Sequence, residues 1–168
     1  PIIAFILVPG WTMDARRDLE LQLKRKKPAE ALEDPVITHT LHNYSSDAIY
    51  NRMQYLGIHN ASYDNVNVIY VPCYLNGSDG IFNMNYYELL IGMDAAVFAS
   101  YYEPWGYTPH ESTAFGVPTI TTTLAGFGQW ILSITENGGF DTCGVEVVKR
   151  TDSNYYSSIM DITAHIRK

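Results

Sequence analysis

Apolar and polar positions follow one another along this chain in blocks that are typical of alternating strands and helices. The first block, IIAFILV (2–8), is a continuous apolar run rich in β-branched residues, and Pro9-Gly10 ends it. Such a run predicts a strand that is buried on both faces, as in a parallel sheet. Further strands are predicted at VITH (36–39), NVNVIYV (65–71), AAVFAS (95–100), PTITTT (118–123) and VEVV (145–148).

Segments with helical signals lie between these strands. Helices are predicted over 13–27, from a cap at Ser45 or Ser46 to Gly57, over 86–92, over 108–115, over 129–135 and over 153–167. Gly126 and Gly128 are predicted in a turn that precedes the helix at 129–135. Residues 72–85 form a predicted loop with Asn-Gly and Asp-Gly turn signals, and a loop that long in a compact domain is often functional.

Strands that alternate with helices predict an α/β fold, in which a Rossmann-like, doubly wound and mostly parallel sheet carries helices on both faces. At 168 residues the chain is expected to form one domain, 1–168. Open sheets of this kind bind ligands outside the carboxyl ends of their strands, where the segments after 71 and after 100 lie. No G-x-G-x-x-G or Walker-type phosphate loop occurs in the sequence.

Composition narrows the class of protein. Hydrophobic residues make up 46% and charged residues 17% of the chain, as in soluble globular proteins. The net charge of −7 disfavours binding to nucleic acid or to an anionic membrane. Cys73 and Cys143 have no other Cys or His at metal-ligand spacing, which favours two reduced thiols and no metal. With no secretion signal or transmembrane run, a cytoplasmic location is expected.

The stretch YYEPWGYTPHESTAFG (101–116) carries the candidate chemistry. Thr108, Pro109 and Glu111 fit a capping box, with Thr108 as N-cap and Glu111 reaching back to its amide. Such a helix start, at the carboxyl end of a parallel strand, turns free N–H groups towards the crevice and suits an anion. Glu103 lies outside the helix among aromatic residues, where a carboxylate can bind sugar hydroxyls.

Basic residues are absent from the sequence around this stretch. Six of the 11 Lys and Arg lie in 16–27, which we interpret as a solvated helix face, and none lies between Arg52 and Lys149. If the stretch binds a diphosphate, the cations that neutralise it are therefore expected from a part of the protein outside this chain.

The segment SYYEPWGYTPHESTAFGVPTITTTLAGFG (100–128) closely resembles eukaryotic-type glycogen synthases and contains the E-x7-E pattern of retaining glycosyltransferases. AFILVPG (4–10), ITHTL (37–41), MNYYELL (84–90) and CGVEVVKR (143–150) resemble further landmarks of that family in the same order. The resemblance implies the C-terminal, nucleotide-binding lobe of a two-lobed GT-B enzyme. It also implies that UDP-glucose is the donor, that an α-1,4-glucan is the acceptor, that configuration is retained and that neither a metal nor another cofactor is required.

The same resemblance assigns roles to single residues. Glu103 is implied as the catalytic carboxylate near the developing oxocarbenium ion. Trp105, Gly106 and Tyr107 are implied in the loop that meets the sugar and the distal phosphate. Thr108 would add a hydroxyl to that phosphate, Glu111 would hold the ribose, and Tyr86 would stack on uracil.

The resemblance also implies what this chain lacks. The family's phosphate-clamping Arg and Lys would lie before residue 1, together with the other lobe and most of the acceptor site, so the isolated chain is expected to be inactive. Oligomers are compatible with the full-length protein. Two alternatives stay open: a lobe of a related retaining transferase that uses another nucleotide sugar, and a non-catalytic glucan-binding domain.

Overall fold

The computed structural model of the protein describes residues 2–25, 32–138 and 144–167. The chain divides into two compact units, Pro1–Tyr86 and Tyr87–Lys168, and each has its own hydrophobic core. The single domain over 1–168 stays a prediction.

The elements alternate between strands and helices in both units. The first unit contains β1 (Ile2–Leu7), β2 (Thr12–Ala15), α1 (Arg17–Arg25), β3 (His39–Leu41), a 3₁₀ helix (Tyr44–Ser46), α2 (Ala48–Tyr55) and β4 (Val66–Val71). The division falls in α3 (Tyr86–Leu90). The second unit contains β5 (Ala96–Val97), α4 (Tyr107–Ala114), β6 (Thr119–Thr122), α5 (Gly126–Gly138), β7 (Val145–Val148) and α6 (Tyr155–Ile166).

Parallel pairing dominates the sheets. In the first unit β1 pairs with β4 in parallel, from Ile2 opposite Val66 to Leu7 opposite Val71, and β2 pairs with β3 in antiparallel fashion. In the second unit β5, β6 and β7 form a parallel sheet in that order. The predicted α/β class, with parallel sheets flanked by helices, is confirmed.

The strands differ in how deeply they are buried. All four residues of β6 are buried, although three of them are threonines, because β6 is the central strand of its sheet. β1 has β4 as its neighbour on one side, and Ile2 and Ile3 are 61% and 58% exposed. The prediction that β1 is buried on both faces is therefore wrong at its first two residues.

Two tyrosines with hydrogen-bonded hydroxyls lie at the core of the first unit: Tyr70 is buried, and Tyr50 is half-buried and packs against it. Tyr70 packs with Val36, Ile37, Leu41 and Met53. Its hydroxyl donates to Asp47 Oδ2 at 3.1 Å, and Tyr50 donates to Asp34 Oδ2 at 2.7 Å. Burial, reinforced by the neighbouring carboxylates, raises the pKa of each tyrosine to about 12.

The basic stretch near the N-terminus is not uniformly solvated. Arg16 precedes α1 and is 7% exposed, and its guanidinium donates to the Asp34 carbonyl and pairs with Asp18. The prediction of a solvated helix face is wrong for Arg16, because this side chain satisfies buried carbonyl groups. Lys26 and Lys27 lie outside the described residues.

Three predicted helix starts also differ. The segment predicted as helix from residue 13 first forms β2, and α1 begins at Arg17. Asp47, rather than Ser45 or Ser46, caps α2, since its carboxylate accepts from the Tyr50 amide at 2.8 Å.

The third of these starts is that of α5. Gly126 and Gly128 belong to the first turn of α5 rather than to a turn before it. A Cβ at either glycine would lie 2.3 Å from a backbone oxygen, that of Pro104 or of Thr122. The two glycines let the helix begin directly against the preceding segments.

Among the described helices, none has the length and apolar character needed to cross a lipid bilayer.

Candidate functional site

The stretch 101–116 comprises the connection that follows β5 together with α4, and we call it the corner. Its backbone is fixed by main-chain bonds to the segment that opens α5. The Glu103 amide donates to the Leu124 carbonyl at 3.1 Å, and the Gly126 amide donates to the Glu103 carbonyl at 3.2 Å. The Phe127 amide donates to the Trp105 carbonyl at 2.6 Å. The corner is thus held by the loop that follows the central strand of the sheet.

Gly106 is the N-cap of α4, with φ 93° and ψ 71°. The prediction that Thr108 caps this helix is wrong: Thr108 lies inside the first turn, and Glu111 lies too far along the helix to close a capping box. The helix begins earlier because glycine adopts a positive φ without a steric penalty. Across the described chain, no side chain caps this start. The first-turn N–H groups of Tyr107 and Thr108 thus remain suited to an anion.

Glu103 and Trp105 lie just before the start of α4. The Glu103 side chain is half-buried, and no described group hydrogen-bonds to its carboxylate. Trp105 Nε1 donates to His110 Nδ1 at 3.3 Å, and the His110 ring stacks on Phe127 with centroids 5.2 Å apart. Trp105, Phe127 and Trp130 also lie within 6.2 Å of one another, centroid to centroid. This aromatic cluster fixes the indole of Trp105.

Glu111 projects from the second turn of α4 towards Tyr87. The Tyr87 hydroxyl donates to Glu111 Oε1 at 3.1 Å, and the Tyr87 ring packs on Phe115 with centroids 5.3 Å apart. The hydrogen bond and the negative charge of Glu111 raise the pKa of Tyr87 above its ordinary value. Glu111 is therefore oriented by a partner on α3, while its other carboxylate oxygen can accept a ligand hydroxyl.

A cation also lies next to the corner. The guanidinium of Arg150, just after β7, donates to the carbonyls of Ala99 and Ser100 and lies 5.6 Å from the Tyr101 ring centroid. Tyr101 in turn donates to Asp152 at 2.9 Å. The sequence around the corner lacks basic residues, but the fold brings one there from about fifty positions away. Arg150 holds backbone carbonyls and thereby fixes the first residues of the corner.

The predicted site residues fall into two groups. Glu103, Trp105, Gly106, Tyr107, Thr108 and Glu111 lie together in the corner, in the second unit. Tyr86 begins α3 in the first unit, where its amide donates to the Leu75 carbonyl at 3.1 Å. Their roles in binding and catalysis stay predictions.

One further group could hold a metal ion. His39, Cys73 and Asp79, all in the first unit, each place a potential ligand atom within 4.8 Å of the other two. The spacing of Cys and His residues does not reveal this group, because His39 lies on β3 while Cys73 and Asp79 lie in loop 72–85.

Four residues with evident structural parts in the corner are missing from the sequence prediction: Tyr87, His110, Arg150 and Asp152. Parallel topology offers a signal for one of them, since Arg150 follows the last strand and carboxyl ends of parallel strands share an edge. His110 and Tyr87 act through ring and hydroxyl contacts that only the folded backbone creates.

Comparison with known proteins gives a consistent result. The family model described as "Glycogen synthase" matches residues 16–168. Isoform 1 of glycogen (starch) synthase from Saccharomyces cerevisiae is 40% identical over 116 residues, which are 69% of this chain and 16% of that protein. The Neurospora crassa glycogen (starch) synthase is 35% identical over 132 residues, which are 79% of this chain and 18% of that protein.

A mammalian relative shows a similar match. The liver glycogen (starch) synthase of Homo sapiens is 44% identical over 94 residues, which are 56% of this chain and 13% of that protein. The matched region therefore spans less than a fifth of the length of these relatives.

Proposed function

The chain belongs to the glycogen synthase family, and we propose that it is the donor-nucleotide lobe of an enzyme that transfers glucose from UDP-glucose to the non-reducing end of an α-1,4-glucan. The observation that carries the proposal is the corner itself, where a free carboxylate, an ordered indole and a helix start without a side-chain cap lie within nine residues. The reaction proceeds with retention of configuration, without a metal and in the cytoplasm.

In the proposed site, different residues of the corner bind different parts of the donor. The first-turn amides of α4 and the Thr108 hydroxyl bind the distal phosphate, and fixed donors there stabilise the charge that develops on the leaving diphosphate. Glu103 accepts from the glucose hydroxyls and lies near the developing oxocarbenium ion. Glu111, held by Tyr87, accepts from the ribose hydroxyls. Tyr86 is proposed to stack on uracil, and this role rests only on the resemblance to the family.

Nucleotide binding is the first test. We expect millimolar UDP to shift the NMR signals of Thr108 and Glu111, with a second, separate set of shifts at Tyr86. Glu111→Gln should weaken binding by about tenfold, the loss of one charge-assisted hydrogen bond. Asp161→Asn on the exposed face of α6 removes the same charge and should leave affinity unchanged. Saturating UDP without shifts in the corner would contradict the site.

Catalysis needs the full-length enzyme. Glu103→Gln should lower kcat by about 100-fold or more, because it removes the negative charge next to the oxocarbenium ion while keeping the shape. The anomeric configuration of the first product, read by NMR, tests retention. The isolated chain should transfer no glucose, and measurable turnover by it would contradict the need for a second lobe.

Two alternatives make different predictions. A related transferase would prefer another nucleotide sugar in a donor screen on the full-length protein. A non-catalytic glucan-binding domain would bind glycogen in a pull-down without nucleotide, and UDP would not alter the amount retained. We expect UDP-glucose to be preferred and glycogen retention by this chain to be weak.

A further inference from the structure

The first unit contains a compact group of three different metal-binding side chains. His39 is on β3, Cys73 follows β4 by two residues, and Asp79 lies in loop 72–85. His39 is 3% exposed, and the other two are half-buried. We propose that this group, the His39–Cys73–Asp79 cluster, binds a divalent transition-metal ion of the Zn²⁺ type.

The ligand set fits such an ion. Zn²⁺ binds imidazole nitrogen, thiolate sulfur and carboxylate oxygen at about 2.0–2.3 Å, usually in tetrahedral geometry. Two ligands of a tetrahedral ion at that distance lie about 3.4 Å apart. Atoms that already lie within 4.8 Å of one another therefore need shifts of about 1 Å to enclose an ion. A sulfur and a nitrogen ligand favour Zn²⁺ or Co²⁺ over Mg²⁺ or Ca²⁺.

The imidazole of His39 is already oriented for this role. Its Nε2 lies 2.8 Å from the Asp79 carbonyl oxygen, which can only accept, so Nε2 carries the hydrogen. Nδ1 is then an acceptor, and the Thr38 hydroxyl donates to it at 2.9 Å. A metal-bound histidine commonly has such a second partner, which fixes its ring. When the ion binds Nε2, the ring hydrogen resides on Nδ1 instead and is donated to the Thr38 hydroxyl oxygen. The Asp79 carbonyl would then lie beside the ion as a further oxygen.

The carboxylate of Asp79 is likewise held from behind. Its Oδ1 accepts from the amides of Ile81 and Phe82 at 3.0 and 2.8 Å, and Oδ2 accepts from the Asn83 amide at 2.8 Å. Oδ2 keeps a lone pair for an ion. No ion pair with Asp79 occurs among the described residues. A bound cation would supply the positive charge that the sequence from Arg52 to Lys149 does not provide.

The ion would connect β3 to both parts of loop 72–85. The loop is closed on itself by a bridge between Asn76 and Asn85 and leads directly into α3. Coordination of one ion by His39, Cys73 and Asp79 would order this loop and the start of α3. The ion has this ordering role and no part in the transfer reaction.

Cobalt is the probe, because a thiolate ligand gives Co²⁺ an intense charge-transfer absorption band. Metal-free protein, prepared with a chelator, is titrated with Co²⁺ and then with Zn²⁺. We expect one Co²⁺ per chain, the thiolate band, an apparent Kd below about 10 µM, and loss of the band when Zn²⁺ is added. Cys143→Ser removes the other thiol and should retain the band, whereas Cys73→Ser should abolish it.

Two further variants keep the test decisive if Cys73→Ser misfolds, which circular dichroism would reveal. Asp79→Asn and His39→Gln should each weaken Co²⁺ binding by about tenfold or more. A folded wild-type protein without the band at about 100 µM Co²⁺ would overturn the proposal. A band that disappears in Cys143→Ser and persists in Cys73→Ser would overturn it as well, since the ion would then be held by a different thiol.

Discussion

At the residue scale, His110 connects α4 to Trp105 in the corner and to Phe127 in α5. It accepts from Trp105 Nε1, stacks on Phe127, and belongs to α4. Since an indole N–H can only donate, Nδ1 of His110 must be unprotonated and the ring proton resides on Nε2. His110 therefore has two separable functions, as a hydrogen-bond acceptor and as a flat ring.

Two substitutions separate these functions. His110→Phe keeps the ring on Phe127 but removes the acceptor, at a cost of about 1 kcal/mol in the free energy of unfolding. His110→Asn keeps an acceptor near the position of Nδ1 but removes the ring. We expect the Trp105 indole N–H signal in ¹⁵N NMR to move in the Phe variant and to stay in place in the Asn variant. Equal shifts in both would contradict the hydrogen bond; the Trp11 indole serves as reference.

The hydrogen-bonded hydroxyls of Tyr70 and Tyr50 predict a loss of stability in alkali. Tyr70 and Tyr50 have folded pKa values of about 12, above the ordinary value of about 10 in an unfolded chain. Their contribution to the free energy of unfolding is therefore complete below pH 10 and is lost as the pH rises to 12. Chemical denaturation from pH 9 to 12 should be less pH-dependent in Tyr70→Phe than in the wild type. Tyr63→Phe, at an 85% exposed tyrosine, should follow the wild type.

At the element scale, α4 begins and ends at glycines with positive φ, but the two differ in their surroundings. Gly106 at the start has φ 93°, and a Cβ there would lie 3.2 Å from Pro109 Cγ. Gly116 at the end has φ 77° and open space where a Cβ would lie. The helix start is therefore confined both by backbone conformation and by packing, and the helix end by conformation alone.

Alanine substitutions compare these two helix ends directly. Gly116→Ala should lower the free energy of unfolding by about 1 kcal/mol, the cost of a left-handed residue with a side chain. Gly106→Ala should cost more, about 2–3 kcal/mol, because crowding is added to the same strain. Urea denaturation measures both. Equal losses would mean that the turn before α4 relaxes around the new methyl group.

At the scale of the whole molecule, the sequence predicts the order and type of most elements. Apolar runs and turn residues locate β4, β6, β7 and α6 within a few positions, since these signals are local. β2 and the burial of β1 are mispredicted, because both depend on which distant strand lies alongside. The start of α5 is mispredicted for a similar reason: the glycines there serve close packing against Pro104 and Thr122.

The candidate site likewise has features that the sequence predicts and features that it does not. The residues of the corner are contiguous, so the sequence alone locates them. The groups that hold the corner in place are distant in sequence, and Arg150, which follows the edge strand β7, reaches the Ser100 carbonyl after the other edge strand, β5. The His39–Cys73–Asp79 cluster joins β3 to loop 72–85, more than thirty positions later in the sequence. What escapes prediction is therefore long-range pairing rather than local chemistry.

The exposed start of β1 has a consequence for how molecules of this protein behave together. Among the residues that the structure describes, β1 pairs along one edge, with β4, and its Ile2 and Ile3 are exposed, so it offers backbone and apolar surface to the same edge of another molecule. The net charge of −7 opposes such contacts by mutual repulsion, which salt screens. Solutions of the chain should therefore self-associate more readily as ionic strength rises.

Lysine on this edge should reverse the effect. Ile3→Lys places a solvated charge where a second strand would pair, and light scattering at high salt should decrease relative to the wild type. Tyr55→Lys, at a 79% exposed position on α2, changes the net charge equally and leaves the edge intact. If both variants scatter alike, charge alone governs the association; if only Ile3→Lys is protected, colloidal stability is controlled by one open strand edge.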